Sequence, residues 1–232
     1  MTSIDSSPTA AHATDATAAS RRSRWPIIGV AAGALGMVAT LFTDLHPAGV
    51  EDRVTTPAIV DEVSRVTAHV GLVAGYVVVG LLLWLAAAWR VHVSPRVSAS
   101  VAAHVVPVGL TAAAGALALG YGYKGMLAVY LEGGIDEEGY DTSALYVMYV
   151  LNDFGGYIGW LGVLVSAIAV AWMSLREHTI SRWIGLFTLL PILGVCIISG
   201  GLGVPGFPGV VMPLWLVVTS LGLTFGKSPI VR

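Results

Sequence analysis

Apolar residues gather in six long runs, at about 25–42, 66–89, 98–120, 144–173, 182–200 and 209–226, with polar stretches between them. A helix rising 1.5 Å per residue needs about 20 residues to cross roughly 30 Å of hydrocarbon. The fourth run holds a stretch of that length, Phe154 to Met173, without a charge. The pattern predicts an all-α fold, a polytopic membrane bundle of six transmembrane helices over residues 25–227. In the fourth run Gly155, Gly159, Gly162, Ser166 and Ala169 recur at helical spacing and form a seam of small residues. In lipid such a seam lets a neighbouring helix come close, because packing replaces the missing hydrophobic drive. Pro107, Pro191 and Pro213 fall in or near runs and predict kinks, each freeing a carbonyl. Hydropathy spacing does not divide the chain into two similar halves, so inverted repeats are not indicated.

Composition agrees with lipid as the main solvent. The chain is 56% hydrophobic and 11% charged, against about 25% charged in soluble domains. Residues 1–24 are rich in Ser, Thr, Ala and Asp before Arg21, Arg22 and Arg24, and read as a disordered cytoplasmic tail. Residues 228–232 form a second short tail. Nine of the twelve Lys and Arg residues fall in the tails and the second and fourth loops; the exceptions are Arg53, Arg65 and Lys124. The positive-inside rule then places both termini in the cytoplasm. Trp25, Trp89, Trp172 and Trp183 fall at the inner boundary. Tyr121, Tyr123, Tyr130, Tyr140, Tyr146 and Tyr149 fall near the outer one, where amphipathic rings belong.

The outer loops are acidic. Asp44, Glu51, Asp52, Asp61 and Glu62 lie in the first, and Glu132, Asp136, Glu137, Glu138 and Asp141 in the second. Such a face attracts cations within a Debye length of about 8 Å. The third outer connection, Gly200 to Gly209, is uncharged, dense in Gly and Pro, and reads as a tight turn.

Ionisable groups at membrane depth are functional suspects, because lipid makes them costly. His69, His104 and Asp153 qualify on the expected spans. A haem between the two histidines is excluded by depth, since they lie near opposite boundaries. His104 reads as an imidazole packed against a carbonyl. The remaining candidates form one outward-facing polar cluster: Asp44, His46, His69, Asn152 and Asp153. Carboxylate and imidazole together suit a proton relay or a divalent metal, although a carboxylate reaching headgroup water is the simpler reading of Asp153. No HExxH, GxSxG or phosphate-binding glycine loop is present. Gly120 to Gly125 looks loop-like, and Lys124 and Lys227 fall at span ends, so no lysine is expected at membrane depth. Cys196 is the single cysteine, which excludes an internal disulfide and Cys-based zinc or iron–sulfur sites. No catalytic residue, metal site or cofactor is assigned.

Several local motifs accompany this layout: Leu45-His46-Pro47-Ala48-Gly49, Gly159-Trp160-Leu161-Gly162, Ser181-Arg182-Trp183-Ile184-Gly185 and Pro213-Leu214-Trp215. Over residues 25–226 the chain resembles the uncharacterised six-helix integral membrane proteins common in actinobacteria. That resemblance implies membrane residence and brings no catalytic residues. The expectation is a multi-pass protein of the cytoplasmic membrane that acts by binding, as an accessory or sensor-like component. Its partners would be the lipid bilayer and a membrane protein or second copy, not nucleic acid. The alternatives are a small cation or solute transporter, and a membrane metal or redox enzyme with an outward-facing site.

Overall fold

In a computed structural model, residues 24–47, 54–226, 228 and 230 are described. They form seven α-helices: α1 (Ile27–Met37), α2 (Arg65–His92), α3 (Val101–Tyr130), α4 (Thr142–Ile158), α5 (Leu161–Leu175), α6 (Arg182–Val195) and α7 (Phe207–Phe225). Helices α4 and α5 are halves of one apolar rod, Thr142–Leu175, interrupted at Gly159 and Trp160. Five rods are long and apolar enough to cross a membrane, namely α2, α3, α4–α5, Arg182–Gly201 and α7. The expected first span is a shorter apolar helix, Ile27–Phe42. Arg21, Arg22, Ala48, Gly49, Glu51, Asp52, Arg53, Lys227 and Arg232, and the tail residues 1–23, lie outside the described residues.

Polar side chains at the expected boundaries start the long helices. Ser64, Ser100 and Asp141 accept the backbone N–H of Thr67, Ala103 and Ala144 at 3.2, 3.1 and 2.8 Å, satisfying donors that the first helical turn leaves unpaired. Helix α3 is central, with α2 on one side and α4–α5 on another; α1 lies against α7 and α2, and α6 leans on α5.

The small-residue seam explains how α3 and α5 come together. A Cβ on Gly162 would stand 2.4 Å from the Ala113 N and 2.5 Å from the Gly109 O, and one on Gly120 would meet the Gly155 carbonyl. Ser166 donates to the Val106 carbonyl at 2.8 Å across the same contact. Gly155, Gly159, Gly162 and Ser166 therefore face α3, which presents Gly109, Ala113 and Gly120 in return. Polar glue and close backbones are what hold helices in lipid.

The third span differs from its expected end at 120. Helix α3 runs on to Tyr130, through the stretch that looks loop-like in the sequence. Gly120 and Gly125 do not break it, because Gly120 lets the α4 backbone come close and Gly125 packs against the Leu72 side chain; packing overrides helix propensity. The Gly200–Gly209 stretch is also less open than its composition suggests. A π-helical segment, Cys196–Gly201, extends α6, and only 202–206 separate it from α7.

Pro107 is accommodated within α3. Its missing N–H frees the Ala103 carbonyl, four residues back. The Trp89 indole of α2 donates to that oxygen at 2.9 Å. Trp89 is thus 3% exposed rather than at the lipid boundary, with Trp25 edge-on at 5.8 Å. Trp172 and Trp183 remain exposed. Trp89→Phe keeps most of the packing and orphans the Ala103 oxygen, so it should cost about 1–3 kcal/mol; thermal unfolding in detergent would show it as a lowered midpoint.

Loop contacts close the end of the bundle where Arg24, Arg90, Arg96, Arg176 and Arg182 lie. Arg96 donates through Nη1 to the carbonyls of His92 and Ile230 at 2.8 and 2.9 Å. Ser100 donates to Glu177 at 2.7 Å. The opposite, acidic end carries a second, smaller apolar cluster under the loops. It joins Leu45, Ile59, Val60 and Val63 to the ends of α3 and α4 through Leu127, Leu131, Leu145 and Tyr149.

Candidate functional site at the acidic end of the bundle

The site begins where α1 stops being an α-helix. From Val38 to Phe42 the turn widens to a π-helix, and the Thr43 N–H reaches back to the Val38 oxygen at 3.0 Å. Widened turns leave carbonyls available to side chains. The Ala39 carbonyl accepts the Thr43 hydroxyl at 2.8 Å and the Lys124 ammonium at 2.8 Å. Lys124 also donates to the Thr43 carbonyl at 2.6 Å and the Thr43 hydroxyl at 3.1 Å. Lys124 is 4% exposed. It lies on α3, six residues before the helix ends at Tyr130.

Room for Lys124 comes from α2. A Cβ on Gly71 would stand 2.7 Å from both Lys124 Cδ and Thr43 Oγ1, and one on Gly75 would strike the Tyr121 ring. Gly71 and Gly75 are one turn apart, as are Tyr121 and Lys124, so two side chains of α3 fill a slot in α2. Tyr121 is fully buried rather than at headgroup level. Its hydroxyl is 2.8 Å from Thr40 Oγ1, which also accepts the Trp160 indole N–H at 3.1 Å. This Thr40–Tyr121–Trp160 unit is a closed polar plug in the middle of the bundle.

After Thr43 the chain turns back over the helices. Asp44 accepts the Leu45 N–H at 2.8 Å, which fixes the carboxylate beside its own backbone. His46 then uses both ring nitrogens: Nδ1 lies 2.9 Å from Asp44 and Nε2 2.8 Å from Asp153 of α4. A ring that engages acceptors on both sides is the doubly protonated imidazolium. Its face rests edge-on against Tyr149, 6.1 Å away. Tyr157, one turn beyond Asp153, is close enough for its hydroxyl to interact with Asp44 and more weakly with Asp153. Asp153 lies eleven residues along α4 from Thr142, roughly 16 Å, so the cluster is recessed beneath the loops.

Electrostatics favours this arrangement as a closed latch. The hydrogen bond to Asp153, then that to Asp44, raises His46 from 6.5 to about 10 against the opposing effect of burial. Burial pushes Asp44 up, yet the hydrogen bond and charge of His46, the Leu45 N–H and the Lys124 charge together hold it below its ordinary value. Two carboxylates thus stand with two cations, a balanced set. Linkage gives the pH dependence. A group raised in the folded state contributes fully below its unfolded value, so the His46 contribution is complete below 6.5 and is lost as pH climbs through about 10. The Asp44 contribution is present above the ordinary carboxylate value and is lost as pH falls through the lowered one. Amide exchange of residues 54–64, corrected for its intrinsic pH dependence, should therefore be slowest near neutrality and faster at both extremes. His46→Gln should remove the alkaline limb; an unchanged alkaline limb would mean that the latch does not hold this segment.

The expected polar cluster is brought together in part. Asp44, His46 and Asp153 meet. His69 lies exposed on α2, away from them, because its position on the helix turns it outward. Asn152 is 5% exposed, on the inward face of α4, and its Oδ1 has no hydrogen-bond partner. His104 is exposed and hydrogen-bonded to the Ser98 carbonyl at 3.2 Å. Lys124, expected in a loop, is the buried cation of the site. Its signal was the apolar run Met126–Tyr130, which continues the third span beyond it. Tyr157 and Thr43 carried no sequence signal of their own. Among the described residues, no group of three or more His, Cys, Asp and Glu is arranged to hold a metal ion.

Above the latch, across the apolar layer of Val60, Val63, Leu131 and Leu145, lies an open cleft of about 850 Å³. Arg65, Asp61, Glu132, Glu137 and Tyr140 supply its polar lining. Comparison with known protein families, curated proteins and solved structures finds no match to this chain.

Proposed function

We propose that this chain is a multi-pass protein of the cytoplasmic membrane, with both termini inside, that acts by binding at its acidic outer face. In this reading it is a sensor-like or accessory component. The Asp44–His46–Asp153 latch carries the proposal. It ties the segment after α1 to α4. The one apolar layer that includes Leu45, Val60, Val63, Leu131 and Leu145 also floors the cleft, so a ligand in the cleft is sensed at the latch through that layer and not by direct contact. The Thr40–Tyr121–Trp160 plug beneath Lys124 favours binding over conduction. The orientation rests on Arg24, Arg90, Arg96, Arg176 and Arg182, which share the end opposite the acidic loops. The kinship with six-helix actinobacterial membrane proteins is part of the same proposal and adds no activity.

Orientation and activity have separate tests. Ile135, at 92% exposure, sits on the loop between α3 and α4. Ile135→Cys in a Cys196→Ser background should react with an impermeant maleimide on intact cells, and labelling only after lysis would invert the topology. Purification in mild detergent should retain a stoichiometric membrane partner, and His46→Gln should weaken that retention. A purified monomer that by itself drives solute flux or turns over a substrate would overturn the binding reading.

A further inference from the structure

At the arginine end, between α3 and α5, two surface cavities join. One is an apolar groove of about 580 Å³ lined by Val101, Val105, Val165, Ile168 and Trp172. The other is a polar pocket of about 470 Å³ lined by Arg96, Ser98, Ser100, Glu177 and Thr179. They share Ala99 and Glu177, so they form one continuous trough. Glu177 is the sole acidic side chain at this end among the described residues. It is half-buried, and the Ser100 hydroxyl holds one of its oxygens at 2.7 Å. Arg96 is held just as firmly, by the two carbonyls on its Nη1. A fixed anion and a fixed cation therefore share one pocket at the mouth of a groove that faces lipid. Trp172, 56% exposed, stands along that groove with its ring on the surface, as expected at headgroup level.

We propose that this trough binds one amine-headgroup phospholipid, with its ammonium on Glu177, its phosphate beside Arg96 and one acyl chain along the α3–α5 groove. Each part of the molecule meets its complement. A primary ammonium brings three donors to the carboxylate, whereas a trimethylated headgroup brings none. A glycerol headgroup would bring only neutral hydroxyls to Glu177 and leave the carboxylate without a cation. This inference is independent of the latch and of the direction in which the chain spans the membrane.

Trp172 supplies the readout. The protein is reconstituted in phosphatidylcholine vesicles in which brominated acyl chains are carried by one headgroup at a time: ethanolamine, choline or glycerol. The fluorescence difference between the unmodified chain and Trp172→Phe isolates the trough from the other tryptophans. Brominated phosphatidylethanolamine should quench that difference roughly two- to fivefold more effectively per mole than either other lipid, the worth of one exposed ion pair. Glu177→Gln, which keeps a partner for Ser100, should bring ethanolamine and choline to parity. Equal quenching by all three, a preference for the glycerol headgroup, or an ethanolamine preference that survives Glu177→Gln would each overturn the proposal. Should that variant not fold, the unmodified chain is tested against stepwise N-methylated headgroups. Quenching should fall with each lost N–H, and a flat series would overturn the proposal equally.

Discussion

Lys124→Ala is expected to cost about 3 kcal/mol or more of stability, read as a lowered unfolding midpoint in detergent. The side chain is 4% exposed, and its ammonium serves three oxygens at the end of α1. Hydrogen bonds to a charged group are each worth about 1.5–3 kcal/mol and do not add fully. Their loss leaves the Thr43 carbonyl without its ammonium donor and opens a void between Gly71 and Thr43, which adds a cavity cost. Lys124→Met refills much of the volume and restores none of the bonds, so it should recover only the packing part. Loss of the ammonium also removes one of the charges that hold Asp44 low, so the acid limb of the amide-exchange profile should move to higher pH. A Lys124→Ala protein as stable as the parent would show that α1 needs no anchor at this end.

A comparable effect is expected from a single methyl group on the α3–α5 seam. Gly162→Ala sets a Cβ against backbone on the opposing helix, at 2.4 and 2.5 Å, where no flexible side chain can yield. The two helices must separate, at a cost of about 1–3 kcal/mol. Gly115, on the partner helix α3, has nothing within 4 Å of its would-be Cβ. Gly115→Ala should be neutral or stabilise by about 0.5–1 kcal/mol, because alanine favours a helix interior over glycine. The opposed signs distinguish packing from propensity. Destabilisation by both substitutions to the same extent would place the helix contact elsewhere.

How much of this was legible beforehand depends on which physical quantity each feature obeys. The seam from Gly155 to Ser166 could be read because helical spacing alone puts those residues on one face. Asp44, His46 and Asp153 could be grouped because all three lie at one depth in a linear reading of hydropathy. Their pairing could not, since it depends on the chain turning back after Thr43. His69 shared their depth and not their direction, and depth carries no information about rotation around a helix. Lys124 was misplaced because a charge and three nearby glycines imitate the end of a span. In the folded chain Gly120 and Gly125 lie against neighbouring helices, and the charge is satisfied by oxygens of the segment that follows α1. Such partners are distant in sequence and leave no local trace. Tyr121 was assigned to the lipid boundary by residue type, yet the slot at Gly75 draws it inside.

The slot in α2 also bears on how this chain can change over generations. A methyl group at position 71 would collide with the aliphatic stem of the residue at 124 and with the hydroxyl at 43. Descendants that enlarge position 71 must therefore shorten position 124, and then find another way to satisfy the bared oxygens near residue 43. Positions 43, 71 and 124 are tied as one heritable unit, and so are 75 and 121; drift at any one of them is constrained by the others.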